Sequence, residues 1–155
     1  MSIFLISSLF LILTLLFSSL ILWRINTRKY ISSGTVASAY DSWTQDKLLE
    51  RLWGEHIHLG FYPPNKNIDF REAKVQFVHE LVSWSGLDKL PRGSRVLDVG
   101  CGIGGSSRIL ANYYGFNVTG ITISPAQVKR AKELTPYECT CNFKVMDALD
   151  LRFEE

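Results

Sequence analysis

The chain has 155 residues, 46% of them hydrophobic, with 17 Lys and Arg against 15 Asp and Glu. That length is compatible with one domain, and a net charge of +2 excludes the strong basic field of a nucleic-acid-binding protein. Three cysteines, Cys101, Cys139 and Cys141, make no disulfide framework; the odd number and the Cys-x-Cys spacing suit a reducing compartment.

From Met1 to Trp23 no Asp, Glu, Lys or Arg occurs, and Ile, Leu and Phe dominate. As a helix, Ile3 to Trp23 would reach roughly 31 Å, about the thickness of a bilayer core. Arg24, Arg28 and Lys29 follow, and Trp23 and Tyr30 suit an interface. Residues 1–23 are therefore expected to form a transmembrane or membrane-anchor helix whose basic flank keeps the remainder on the cytoplasmic side. A cleaved signal peptide fits less well. No positive segment precedes the apolar run, the run is too long, and the small triplet Ala37 to Ala39 lies far beyond it.

Residues 24–35 read as a polar linker. Val36, Tyr40, Trp43, Leu48, Leu49 and Leu52 then recur at helical spacing, until Gly54, Gly60, Pro63 and Pro64 impose a loop over 54–65. Phe70, Ala73, Phe77, Leu81 and Trp84 form a second stripe ending near Gly86, expected to pack on a sheet. Residues 36–90 are thus read as a helical N-terminal cap or lid.

From residue 91 the pattern changes. Arg95 to Val99 is a short apolar strand, Gly104 to Tyr114 a helix stopped by Gly115, and Asn117 to Ile123 a second strand. Ser124 and Pro125 open a helix over Ala126 to Leu134, and Cys141 to Met146 is a third strand followed by Asp147. Over 91–155 this β-α-β-α-β order is the first half of a doubly wound α/β sheet of Rossmann-like type. The first strand is left with an open edge, so further strands are expected from a longer chain or from a partner.

The strand-to-helix turn lies within RVLDVGCGIGGSSRIL, residues 95–110, where Gly100, Gly102 and Gly105 satisfy G-x-G-x-x-G. Alone that motif is weak. A nicotinamide dinucleotide asks for an acidic residue near the end of the second strand, which here reads Gly-Ile-Thr-Ile-Ser. Asp98, two residues before Gly100, suits a ligand carrying positive charge. S-adenosylmethionine (SAM) has an ammonium and a sulfonium, and no pyrophosphate for a helix N-terminus to hold.

VLDVGCGIGG resembles motif I of the class I SAM-dependent methyltransferases. The flanking runs VASAYDSWTQDKLLERLWGEHIHLGFYP and LPRGSRVLDVGCGIGGSSRILANYYGFNVTGITISPAQVKRAKELTP resemble the prenylquinol methyltransferases of photosynthetic organisms. Within them the pattern is nearest to the branch of tocopherol and plastoquinone synthesis that acts on 2-methyl-6-phytyl-1,4-benzoquinol, with the γ-tocopherol branch its neighbour. The resemblance covers about residues 36–150 of a family about twice as long, so this chain reads as an N-terminal part. It implies SAM as cofactor and C-methylation of a prenylated hydroquinone drawn from the bilayer. It also implies a place at the photosynthetic or plasma membrane of a cyanobacterium-like cell.

The resemblance also implies a site. Asp98, Gly100 and Gly102, with Gly104 beside them, would hold the methionine end of SAM. Thr122, Ile123 and Gln127 would meet the ribose and adenine, and Asp147 with Ala148 the adenine amino group. A loop carrying His58, Leu59 and Gly60 would close over the methionine end, with Tyr40 and Trp53 lining the lid and His58 the one candidate for a catalytic role. Plainer uses compete. Gly104 and Gly105 suit close packing, Ser124-x-x-Gln127 is a capping box, and Asp147 suits a turn. A metal site is not expected, because His79 lies in a helical stripe and Cys-x-Cys lacks zinc spacing. Three other functions compete: a methyltransferase for another lipid or sterol, a dehydrogenase, and a truncated SAM-binding fragment without activity.

Overall fold

The computed structural model describes residues 2–26 and 32–153; in the first segment the described side chains are Ser8 and those from Phe10 to Trp23. The chain divides after Ser32 into two units. The first contains helix α1, Ser2–Asn26. Its large apolar side chains from Phe10 to Trp23 are exposed. Among the described residues no helix is long and apolar enough to cross a membrane. The structure thus does not show the transmembrane anchor expected from the sequence, and Arg28, Lys29 and Tyr30 of its flank lie outside the described residues.

The second unit runs α2 (Ser33–Gln45), α3 (Leu48–Trp53), α4 (Phe70–Ser85), β1 (Arg95–Val99), α5 (Gly105–Tyr114), β2 (Asn117–Thr122), α6 (Pro125–Leu134) and β3 (Cys141–Val145). Since α1 ends at Asn26 and α2 begins at Ser33, both ends of the expected linker are helical. The single helix read over 36–52 is two. Asp46 Oδ1 accepts the Leu48 N–H at 2.8 Å, and Lys47 takes a left-handed φ of 55°. A short carboxylate that bonds backbone two residues on competes with helix continuation.

The strands are parallel in the order β1-β2-β3. Two successive right-handed crossovers in one direction must place both intervening helices on one face. The register shows it: Asp98 lies opposite Gly120, and Gly120 opposite Phe143. On that face Val96 and Val118 pack with Val78 and Val82 of α4 and with Leu110 and Ala111 of α5. Phe143 packs with Val128 and Ala131 of α6 and with Cys101 of the glycine turn. A Cβ on Gly120 would come 2.8 Å from the Phe143 ring and 2.9 Å from Cys101 Cβ, so this crossing of β2 needs glycine. Leu97 and Val99 on the other face are exposed.

Helix α4 packs on the core as expected, but through a different row. Ala73, Lys74, Val78 and Val82 are buried, while Phe70, Leu81 and Trp84 are exposed. The displaced row includes a lysine. Lys74 Nζ donates to the Trp53 carbonyl at 2.9 Å and lies near the Trp53 and Phe70 rings, which satisfies its charge at a core position.

Candidate functional site

Parallel strands bring their carboxyl ends together, and the crevice outside those ends is where open α/β sheets bind ligands. Here it is a cavity of about 550 Å³. Asp98 of β1, Gly100 and Gly102 of the turn, Thr122 and Ile123 after β2, Gln127 of α6, and Asp147 and Ala148 after β3 all line it. His58 closes it from the α3–α4 loop.

The turn is tied to β2. The Gly100 and Cys101 N–H groups both donate to the Ile121 carbonyl, at 2.8 and 3.0 Å. Gly100 and Gly102 have φ of 76° and 55°, a region costly for other residues, and a Cβ on either would meet nothing within 4 Å. Their backbone therefore faces open space. Gly104 differs: a Cβ there would stand 2.7 Å from the Phe143 ring and 2.9 Å from Arg108 Nη1. It lies off the cavity wall and packs against Phe143 and Arg108.

Asp98 is half-buried, and its Oδ2 accepts from the fully buried Ser107 hydroxyl at 2.6 Å. Burial pushes the Asp98 carboxyl above its ordinary range; the Ser107 hydrogen bond and nearby His58 pull the other way. Ser107 carried no sequence signal, being one serine of a pair in an ordinary helix.

At the end of β2 the Thr122 hydroxyl donates to Gln127 Oε1 at 2.7 Å, and Ser124 Oγ accepts the Gln127 N–H at 3.1 Å. Only half of the capping box forms, because the Gln127 side chain turns to Thr122 instead of back to Ser124. With Oε1 engaged, Nε2 of Gln127 is the donor left for the cavity it lines. Asp41 of α2 completes the cap. Its Oδ1 accepts from the Ser124 hydroxyl at 2.5 Å and from the Ala126 N–H at 3.0 Å, setting a carboxylate at the α6 N-terminus. Beyond β3, Asp147 Oδ1 accepts the Leu149 N–H at 2.9 Å, so the turn use is real for one of its oxygens.

The segment 55–58 roofs the cavity. His58 Nδ1 lies 2.8 Å from the Leu59 carbonyl, which can only accept, so Nδ1 donates. His58 Nε2 lies 3.1 Å from His56 Nδ1, leaving neither His58 nitrogen free. Leu59 itself is 84% exposed and off the cavity wall, and its carbonyl holds His58. Tyr40 lines the cavity as expected, whereas Trp53 lies over Lys74 and does not. Glu55 meets Arg108 at 2.5 Å, and Arg108 Nη1 also donates to the Ile103 carbonyl and the Thr135 hydroxyl, at 2.9 and 3.1 Å. Arg130 of α6 grips both carboxylate oxygens of Glu50 in α3, at 2.6 and 2.9 Å. None of these pairings was legible in the sequence.

Two outcomes follow for the roof. Burial first, then His58, pushes His56 down to about 4, below its ordinary 6.5. Between those values the unfolded chain holds more protons than the folded one, so stability falls as pH drops from 6.5 towards 4. Urea melts at pH 7.5 and pH 5 are expected to show that loss, and His56→Asn to reduce it. A Cβ on Gly105 would meet the Glu55 carbonyl at 2.9 Å and His56 Cε1 at 2.8 Å. Gly105→Ala is therefore expected to lift the roof and to raise amide exchange at residues 55–58, with β2 unchanged.

Residues 96–155 match the family described as "Methyltransferase domain". The chain is 60% identical over 136 residues to 2-methyl-6-phytyl-1,4-hydroquinone methyltransferase of Synechocystis sp., covering 86% of this chain and 42% of that protein. It is 40% identical over 119 residues to the chloroplastic tocopherol O-methyltransferase of Arabidopsis thaliana, covering 70% and 34%. Among solved structures, the [4+2]-cyclase SpnF superposes with a TM-score of 0.68 at 26% identity, covering 79% of this chain and 45% of that one. The chain thus spans less than half the length of these relatives.

Proposed function

We propose that this chain, which belongs to the SAM-dependent methyltransferases, binds SAM at the strand ends and serves methyl transfer to a ring carbon of a prenylated hydroquinone. The observation that carries the reading is the meeting of Asp98 of β1, Gln127 of α6 and Asp147 beyond β3 on one cavity. At about 550 Å³ the cavity lies within the usual range of small-ligand sites, roughly 300–1,000 Å³. The open space facing Gly100 and Gly102 fits a ligand lying close to backbone.

When bound, SAM supplies an electrophilic methyl on sulfur. The Asp98 carboxylate would pair with the ammonium of its methionine end, and the open space beside Gly100 and Gly102 would admit that end. Gln127 Nε2, with Thr122 and Ile123, would meet the ribose and adenine, and Asp147 beside Ala148 would take the adenine amino group. His58 has both nitrogens engaged and so serves to hold the roof rather than to take a proton. Alignment and exclusion of water are the contributions this arrangement makes. A dehydrogenase is disfavoured, since Thr122, Ile123 and Gln127 stand where an acid would hold a dinucleotide ribose.

The Synechocystis relative, at 60% identity, supports 2-methyl-6-phytyl-1,4-hydroquinone as acceptor; the Arabidopsis relative, at 40%, supports a tocopherol as the second reading. The uncharged run Met1 to Trp23 supports membrane association through α1, which would bring the site to a lipid-borne substrate on the cytoplasmic side. Calorimetry with S-adenosylhomocysteine and with NAD tests the cofactor, and binding of NAD alone would sink the reading. Labelled methyl transfer in vesicles carrying either acceptor then ranks the two substrates. S-adenosylhomocysteine binding without transfer to either would point to a SAM-binding piece that is inactive by itself.

A further inference from the structure

Cys139 and Cys141 flank the start of β3, away from the cavity and unused by the chemistry proposed above. Both are free, both are partly exposed, and their sulfurs lie 3.3 Å apart. The backbone between them is unusual. The Cys141 N–H donates to the Cys139 carbonyl at 2.8 Å, an i to i+2 bond that folds the three residues into a γ-turn. Thr140 at its centre is pinned on both sides. Its hydroxyl donates to the Phe116 carbonyl at 2.6 Å, and its carbonyl accepts the Val118 N–H at 2.8 Å. The fold thus holds two thiols together at fixed backbone. Reaching a sulfur–sulfur bond of about 2.05 Å asks for roughly 1.3 Å of closure, within reach of side-chain rotation.

We propose that Cys139 and Cys141 form a dithiol exchange site for small-molecule disulfides of the glutathione type, closing reversibly to an intrachain disulfide. Cys139 gives its proton to water and attacks one sulfur of the incoming disulfide; that bond breaks, and the first thiolate leaves and takes a proton. Cys141 then loses its proton to water and attacks Cys139 Sγ, breaking the mixed disulfide and releasing the second thiolate, which is protonated in turn. One external disulfide is reduced to two thiols, and two protein thiols are oxidised to one disulfide.

The order follows from the surroundings. Burial, and then Cys139, pushes the Cys141 thiol up to about 12, and its sulfur donates to the Ser107 carbonyl at 3.3 Å. Cys141 is therefore the slower nucleophile and the resolving partner. Closure costs that weak bond to Ser107, the residue whose hydroxyl holds Asp98. The third thiol, Cys101, is buried in the core and likewise pushed up to about 12, which keeps it out of the exchange.

The test treats the whole 155-residue chain with oxidised glutathione, quenches with acid and reads the intact mass. The Cys101→Ser chain is expected to lose two hydrogens and to retain no glutathione. Adding Cys141→Ser is expected to trap one glutathione on Cys139, and adding Cys139→Ser to slow the reaction by about tenfold or more. An unchanged mass in the Cys101→Ser chain, or a stable glutathione adduct on it, overturns the proposal. Phenylarsine oxide, which needs two adjacent thiols, gives a second readout on the unsubstituted chain. One equivalent bound per folded chain supports the site, and none overturns it.

Discussion

Asp98→Asn is expected to weaken S-adenosylhomocysteine binding by about 10- to 100-fold in a calorimeter, with little change in thermal stability. A hydrogen-bonded charge contact contributes about 1.5–3 kcal/mol, which sets that range. Asparagine keeps the shape of the side chain and can still accept from Ser107, 2.6 Å away, so the turn should stay in place. The pH dependence has a definite sign. Burial raises the Asp98 carboxyl, and only its ionised form attracts an ammonium, so affinity should fall as pH drops through that raised value. Asp98→Asn should flatten this acid limb. Without ligand the stability contribution runs the other way. The folded chain holds the Asp98 proton more tightly than the unfolded chain, so stability falls as pH rises from the ordinary carboxylate range through the raised one. Wild-type affinity in Asp98→Asn would remove Asp98 from the site.

The largest expected loss of stability comes from Arg108→Met. Arg108 is 8% exposed and joins three parts of the second unit: Glu55 of the roof, the Ile103 carbonyl of the glycine turn, and Thr135 after α6. Methionine fills part of the volume but leaves the Ile103 carbonyl without this donor and Glu55 without its partner. Removing one member of a buried pair typically costs 3–5 kcal/mol, but Glu55 is half-exposed and can turn to water, so about 3 kcal/mol is the fitting figure. For a chain of this size that is a fall of roughly 6–12 °C in Tm. Glu55→Gln should cost much less, because it leaves the guanidinium its two uncharged acceptors. Equal melting of Arg108→Met and the unsubstituted chain would show that this junction is not a structural one.

The strands were readable to within a residue because their signals are local. A β-branched run at 95–99 stops at a glycine that must turn, and Ser124-Pro125 opens a helix wherever it occurs. The α4 stripe was misread by one position for an equally concrete reason. Lys74 counts as polar in any periodicity, yet the Trp53 carbonyl and two aromatic rings make it a core residue. The break at Asp46-Lys47 was hidden because apolar spacing continues across it.

By itself the sequence determined the β-α-β-α-β order, the glycine turn and the carboxylate ahead of it, since backbone sterics and alternation act over a few residues. Only the tertiary structure decided which of several plausible uses each side chain has. The Gln127 side chain turns to Thr122, whose hydroxyl oxygen also takes the Ser124 N–H that a full capping box would give to Gln127, while Asp41, 85 residues from Ala126 and 83 from Ser124, takes the Ala126 N–H and the Ser124 hydroxyl. Gly104 went to packing and Gly100 to the cavity because Phe143 crosses over one and not the other. Such choices depend on which distant groups the packed fold brings within hydrogen-bond reach, and no local pattern encodes that.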